Sequence, residues 1–401
     1  MFFNSYLIFT QIALVIILYQ LVSRWVANRH LRNLLIALAN IILLLNVVKE
    51  HSIIVLAVLS AVIYALAFII QKKQSKPILG ISLGLVIGLF AFRNYPFLLS
   101  MLEEGTFEFI HGPIISIQKV GISYILFRLC HFLVESYKGS IQKHDPLTFL
   151  NYVFFFPSFL AGPIDRYNNF HYWIGNSRNK YRTSLFFSGV TRVLIGAFKT
   201  MAIVPLIITE ATDYTILSAE LGPGLGLFAS LIAYSAYIYF DFSGYSDIAI
   251  GTGYMLGIRT PENFNNPYFS HNLSEFWKRW HITFSFFLRI YVFKPVLVLL
   301  NKVINPKHRM LVTVNAYLIT FIICGVWHGP TLNFAVWGLW HGAGLAINKL
   351  FTTYAKPKLA LANSGVYNLI SMVLTFVFVT IGWMFFHYSM DQISEILNTL
   401  F

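Results

Sequence analysis

Residues 52–71 read SIIVLAVLSAVIYALAFIIQ, a run of twenty positions without one charged side chain. At about 1.5 Å per residue such a helix spans about 30 Å, the thickness of a bilayer's hydrocarbon. Lipid offers no partner to a backbone N–H or C=O, so the run must satisfy its own as a helix. Outward from it, further apolar stretches fall at 4–23, 33–48, 77–98, 111–135, 146–162, 185–208, 225–257, 282–300, 310–326, 331–350 and 366–388. The sequence therefore predicts an all-α polytopic membrane protein with roughly 10–12 transmembrane or re-entrant helices. No stretch remains for a separate soluble core, so 1–401 reads as a single integral membrane domain, with the spans of 1–100 as its N-terminal part. The stretch Leu225 to Gly257 is too long for one span and carries Asp241, Gly244 and Asp247, which predicts a kink or two shorter helices.

Composition agrees: 57% of the residues are hydrophobic and only 11% charged. The formal charge of +13 is not gathered on one face but set in short clusters between apolar runs, so it reads as topology signal and anionic-lipid contact rather than a nucleic-acid surface. Arg24, Arg29 and Arg32, then Lys72, Lys73 and Lys76, are expected in the cytoplasm, and Glu103 and Glu104 outside. Lys138 to Asp145 fall inside, as do Arg166 to Arg182 if 146–162 is re-entrant; Glu210 to Glu220 then lie outside and Arg259 to His281 return to the cytoplasmic side. Met1 to Val22 has neither a basic start nor a small-residue cleavage site and is expected to stay as the first span. Cys130 and Cys324 lie far apart in apolar surroundings and support no disulfide framework.

Few polar residues interrupt the apolar runs, and those are the candidates for chemistry. His328, in CGVWHGP, lies between two spans, where a polar side chain is costly and turns toward a bundle interior or wet cavity. A neutral imidazole there can take a proton from a hydroxyl and return it to a leaving group, although a simple interhelical hydrogen bond also accounts for it. His281 ends NLSEFWKRWH, which opens with capping-box spacing at Asn272 and Glu275. A continuing helix would put Trp277, His281, Phe284 and Leu288 on one face and Lys278, Ser285 and Arg289 on a polar stripe, the pattern of an interfacial anchor. Asp241 and Asp247 are unaffordable unpaired in an apolar stretch, so each is expected to have a partner, a helix end or an arginine before a catalytic group. Cys324, four residues before His328, reads as packing rather than as a nucleophile. His341, Asp165 and Arg166 sit at segment ends, where packing or ion pairing suffices. Gly329-Pro330 separates His328 from His341, so the two need not share a site.

Three stretches, FFFPSFLAGPIDRYNNF at 154–170, the run from Tyr239 to Val296, and CGVWHGPTLNFAVWGLWHGAG at 324–344, resemble bacterial members of the membrane-bound O-acyltransferase (MBOAT) family. The resemblance implies a ring of helices around a thin centre, with a funnel or tunnel joining a cytoplasmic acyl donor to an outside acceptor, and a catalytic core within 146–350. It makes the WHG histidine, His328, the essential residue and the RWH histidine, His281, the second; Asp241, Asn266 and Arg289 lie in the matching stretches as supporting candidates. GPIDR at 162–166 and SFFLRIYVFKPV at 285–296 look like the branch that transfers D-alanyl to teichoic acid, while PENFNNPY at 261–268 and GWMFFHYSM at 382–390 look closer to the branch that O-acetylates alginate. Ile290 departs from an Arg-Asp pair common to both.

The D-alanyl branch is the preferred expectation. It implies a phosphopantetheine thioester on a small acidic acyl carrier protein docked at the cytoplasmic face, and the hydroxyl of an envelope polymer as acceptor. Further envelope acyl-transfer proteins and membrane lipids are expected partners, with no tightly bound cofactor and no metal. A transporter or a non-catalytic scaffold in the same bacterial membrane are the rival classes; repeated halves, which would favour a transporter, are not visible.

Overall fold

The computed structural model describes residues 6–400 apart from 26–27, 47, 49, 96–97, 99–120, 142, 177–181, 209–211 and 360–363. Glu103, Glu104, Glu210 and the first part of the span expected at 111–135 lie outside the described residues. Among those described, every regular element is a helix, and seven are long and apolar enough to cross a membrane: Ser52–Lys73, Lys76–Asn94, Thr183–Ile208, Pro223–Met255, Ile282–Val303, Arg309–His328 and Gly365–His387. Shorter apolar helices add Phe9–Val22 and His30–Leu45. The exposed side chains of these helices include Ile54, Val58, Ile81 and Leu206, a surface suited to hydrocarbon and not to water. The protein is an all-α multi-pass membrane protein.

The chain divides into two compact units, one comprising Met1–Phe198 with Gly244–Pro261 and the other Lys199–Ser243 with Glu262–Phe401. The long helix Pro223–Met255 contributes its earlier part to the second and its last turns to the first. It is one unbroken helix of 33 residues, so of the two alternatives expected within 225–257, a kink or two shorter helices, the second is not formed. The reason lies in what its polar and small residues do. Asp247 does not break the helix because Arg192 Nε donates to its Oδ1 at 2.8 Å. Gly196 permits close approach at Gly244: a Cβ on Gly196 would come within 2.6 Å of the Gly244 carbonyl oxygen, so the helix Arg182–Phe198 lies directly on this backbone.

In the first unit the segment 146–162 is too irregular to span. It forms the helix Pro146–Val153, a tight turn at Phe156–Ser158, and an extended passage to the helix Tyr167–Gly175. Arg128, 1% exposed, holds this irregular backbone: Nη1 donates to the Val153 carbonyl at 2.7 Å and Nη2 to the Ser158 hydroxyl at 2.8 Å and to its carbonyl. Buried amides complete the lattice, Asn40 donating to Asn151 at 3.1 Å and Asn151 to the Asn33 carbonyl at 2.9 Å. Non-helical backbone within such an apolar unit is tolerated where protein meets the freed polar groups, as Arg128 does for the carbonyls of Val153 and Ser158.

In the second unit three helices contain a widened turn, at Lys199–Ile203, Arg289–Phe293 and Phe351–Ala355. Each is followed two residues later by a proline, Pro205, Pro295 or Pro357. Proline has no N–H to donate and its ring collides with the carbonyl four residues earlier, so the preceding turn opens to accommodate it. The helices Arg309–His328 and Leu332–Leu350 form a hairpin whose backbones touch. A Cβ on Gly325 would strike the Phe334 carbonyl, and one on Gly338 the Phe321 carbonyl. Small residues at facing positions are what allow membrane helices this approach. Asn333 and Trp340 then bind the hairpin to Gly365–His387, donating to the carbonyls of Phe385 and Phe378 at 3.1 Å each.

Candidate active site

The hairpin presents His328 as the last helical residue before Gly329-Pro330 end the helix. Its imidazole is half-buried in an aromatic collar. Trp337 and Phe386 stand edge to face with it, both at 5.0 Å between ring centres, and Trp327 lies at 4.4 Å. Such walls exclude water from all but the open side of the ring, which strengthens any charge interaction formed there.

His281 is built differently from the sequence expectation. The helix Leu273–Arg279 is capped as predicted, with Asn272 Oδ1 accepting from Glu275 N at 2.9 Å, but it ends before the histidine. Trp280 is extended, His281 has a left-handed backbone (φ 42°), and a new helix begins at Ile282. The single face of Trp277, His281, Phe284 and Leu288 is therefore interrupted, and His281 occupies a buried corner instead of an interfacial stripe.

Asn263 explains the corner. Its backbone carbonyl accepts from Ile282 N at 2.9 Å, and its side-chain Oδ1 accepts from Thr283 Oγ1 at 2.9 Å and faces His281 Nδ1 at 2.9 Å. An amide oxygen cannot donate, so Nδ1 carries the proton and the lone pair of the neutral ring is on Nε2. Burial, with the neighbouring His328 as the smaller cause, pushes the His281 pKa well down, so the ring at this corner is neutral. Phe284 links the two histidines: its ring lies 5.0 Å from that of His281 and 6.4 Å from that of His328.

The supporting candidates part company. Phe242, next to Asp241, meets the His281 ring edge-on at 4.7 Å. Asp241 itself is half-buried, and its Oδ1 is buried without a hydrogen-bond partner among the described residues. Asn266 is exposed at a left-handed turn (φ 46°) that opens Pro267–Phe269. Arg289 is exposed at the start of the widened turn, its guanidinium 5.2 Å from the centre of the Phe286 ring, and borders a cavity of about 270 Å³ with Lys278, Ser285 and Trp277. Cys324 is buried. His341 is fully buried among aromatic rings, 5.0 Å from Trp337, 5.1 Å from Trp277 and 5.9 Å from Phe378 between ring centres. Among the described residues no set of three His, Cys, Asp or Glu side chains is arranged to hold a metal.

Sequence reasoning missed Asn263 and Trp337, and gave Phe284 only a place on an interfacial helix face beside His281. For Asn263 the signal was present, a run from Glu262 to Asn266 that is polar except at Phe264 in an apolar neighbourhood, but the run alone does not say which amide turns inward.

A multi-pass helical protein with two histidines gathered at a helical hairpin and a broken corner fits acyl transfer within a membrane, and the family comparison agrees. The membrane-bound O-acyltransferase family model matches residues 1–391, so the chain belongs to that family and is an acyltransferase. Among individual proteins it is similar to the teichoic acid D-alanyltransferase of Bacillus subtilis, 30% identical over 313 residues that cover 77% of this chain and 76% of that protein. It is also similar to the probable alginate O-acetylase AlgI of Pseudomonas aeruginosa, 30% identical over 331 residues, covering 81% of this chain but 59% of that protein. The teichoic acid D-alanyltransferase of Lacticaseibacillus rhamnosus is 32% identical over 229 residues, 55% of this chain and 56% of that protein.

Proposed function

We propose that the protein moves a D-alanyl group from a thioester on the phosphopantetheine arm of a small acyl carrier protein to a hydroxyl of an envelope polymer such as teichoic acid, across the bacterial cytoplasmic membrane. The observation that carries the D-alanyl reading is coverage: this chain spans 76% of the Bacillus D-alanyltransferase, against 59% of the Pseudomonas alginate O-acetylase at the same identity. Lys278 and Arg289 beside the 270 Å³ cavity supply positive charge suited to the phosphate of such an arm.

In this reading His328 is the general base. It takes the proton of the acceptor hydroxyl as that oxygen attacks the thioester carbonyl carbon; the C–S bond then breaks, and the imidazolium returns the proton to the departing sulfur. One ester and one thiol form with no net change in protons. His281, held by Asn263, supports the path from beyond Phe284. O-Acetyl transfer is the second reading, favoured by the alginate relative's match to a slightly larger share of this chain, 81% against 77%.

The test is transfer by the purified protein in liposomes, with D-alanyl or acetyl carrier thioester on one side and a polyol-phosphate polymer or alginate on the other. D-Alanyl ester on the polyol phosphate is expected. Acetyl ester without D-alanyl ester would overturn the choice of branch, and consumption of neither thioester would overturn the donor class.

A further inference from the structure

We infer that the cavity between the helices Leu332–Leu350 and Gly365–His387 binds one anionic phospholipid, with its phosphate at Lys356 and part of an acyl chain along Leu374 and Phe378. The inference adds a lipid site to the acyl-transfer reading and does not depend on which acyl group moves.

The cavity measures about 660 Å³ and is separate from the one beside Arg289. Pockets of about 300–1,000 Å³ hold small ligands. Its lining changes character along the two helices. Asn348, Thr352, Asn368 and Ser371 line it where the first helix ends and the second begins, whereas Gly344, Leu374 and Phe378 line it further in. From Asn368 to Phe378 the helix rises about 15 Å. The polar-to-apolar order over that distance is the one a bilayer imposes from its interface to its hydrocarbon.

The apolar part opens to the side. Ile347, Ile370 and Leu374 line the cavity and are also exposed on the outer surface of these helices. An apolar cavity does not hold water, so an opening of this kind within a bilayer is filled by hydrocarbon. A ligand entering from water with a phosphate alone would leave the inner part empty, while a lipid fills both parts.

Charge selects the headgroup. Glu275 also lines the cavity, but its carboxylate is engaged by the Arg279 guanidinium and by the backbone N–H of His271 at 2.9 Å. Lys356 has no carboxylate partner among the described residues, and its Nζ stands 5.3 Å from the centre of the Tyr367 ring. His271 adds an imidazole whose Nδ1 donates to the Asn368 carbonyl at 3.2 Å, tying the cavity's edge to the second helix. Lys349, Tyr354 and Lys358 are exposed at the same end. Lysines and tyrosines at helix ends mark the interface, and the positive-inside rule assigns this end to the cytoplasmic leaflet, which carries the anionic lipids.

The experiment measures retention of phosphatidylglycerol and phosphatidylcholine by the purified protein in detergent, by native mass spectrometry, together with Tm with and without each lipid. Wild type is expected to keep one phosphatidylglycerol against an excess of phosphatidylcholine and to gain Tm with the first lipid only. Lys356→Gln should weaken that retention about fivefold, the effect of one lysine at an anionic surface. Leu374→Trp, which fills the apolar part, should also weaken it, and Lys358→Gln, outside the cavity, should leave it unchanged. Equal retention of the two lipids, or unchanged retention in Lys356→Gln, overturns the inference. So does an equal loss in Lys358→Gln, which would show diffuse surface charge, or displacement of the lipid by glycerol phosphate, which would show a site for free phosphate. None of these readouts uses transfer, so failure here is distinct from failure of the acyl-transfer reading.

Discussion

His281 and Asn263 are joined by a 2.9 Å contact from Nδ1 to Oδ1 that fixes both the orientation and the tautomer of the imidazole. The same oxygen holds Thr283, so one amide both starts a helix and aims a histidine. Asn263→Ala should therefore lower kcat about five- to thirtyfold, the effect of about 1–2 kcal/mol of lost orientation. In a His281→Ala background the same change should have little further effect, since the two would act as one unit. Initial transfer rates of the single and double variants decide it, and independent, multiplicative losses would detach Asn263 from the histidine.

The glycine contact in the hairpin is expected to be as demanding as any side chain in the site. Gly338→Val places branched carbon against the Phe321 carbonyl, backbone that has no rotamer to yield. Overpacking of this kind costs about 1–3 kcal/mol and moves the hairpin that carries His328. Thermal unfolding in detergent should show a lower Tm with activity lost in parallel. An unchanged Tm with full transfer would mean the helices separate without consequence.

The spans were legible because the bilayer forces each one to be a long apolar run, and hydropathy needs no tertiary information. His328 was legible for the same reason, as a polar residue set against that background. What was hidden depends on partners distant in sequence. The break at His281 is imposed by Asn263, eighteen residues earlier, and local periodicity reads straight through it. The single helix Pro223–Met255 survives because Arg192 meets Asp247 and Gly196 meets Gly244, neither visible from within the helix itself. The widened turns had a local cause in the prolines that follow them, so that signal was available and unread.

Asp165 lies outside the spanning helices, and burial raises its pKa to about 7 in spite of the hydrogen bonds from Asn169 and Arg166 and the charge of Arg128. Its unfolded value is about 3.9. The fold therefore binds this proton more tightly than the unfolded chain does, so the contribution is fully present below about pH 4 and is lost as pH rises through about 7. Asp165→Asn cannot titrate. Its Tm should fall less than that of wild type between pH 5 and pH 8, measured in the same detergent; parallel curves would show that this carboxyl titrates normally.

Orientation follows from the basic clusters. Cysteines introduced at exposed His30 and Asn265, in a Cys130→Ser background, should be shielded from an impermeant thiol reagent in intact cells and labelled after lysis. Labelling of both positions in intact cells would invert the topology and with it the side from which a cytoplasmic carrier protein reaches the site.

His328 and His281 both pack against Phe284, and their coupling is the sharpest test of a shared reaction path. His328→Ala should abolish transfer while leaving expression and insertion intact, because a half-buried ring at a helix end is removed at little cost to packing. Cys324→Ala should keep most of the activity, since its buried sulfur acts as a small apolar group; an acyl-cysteine trapped on the wild type would contradict that. His281→Ala should be damaging but less so than His328→Ala. If both rings serve one proton path, the double alanine variant will be little worse than the poorer single one, as is usual for residues that act as a unit. Rates at matched membrane abundance distinguish the cases. Losses that multiply would make His281 a structural corner held by Asn263, and leave His328 to carry the proton without it.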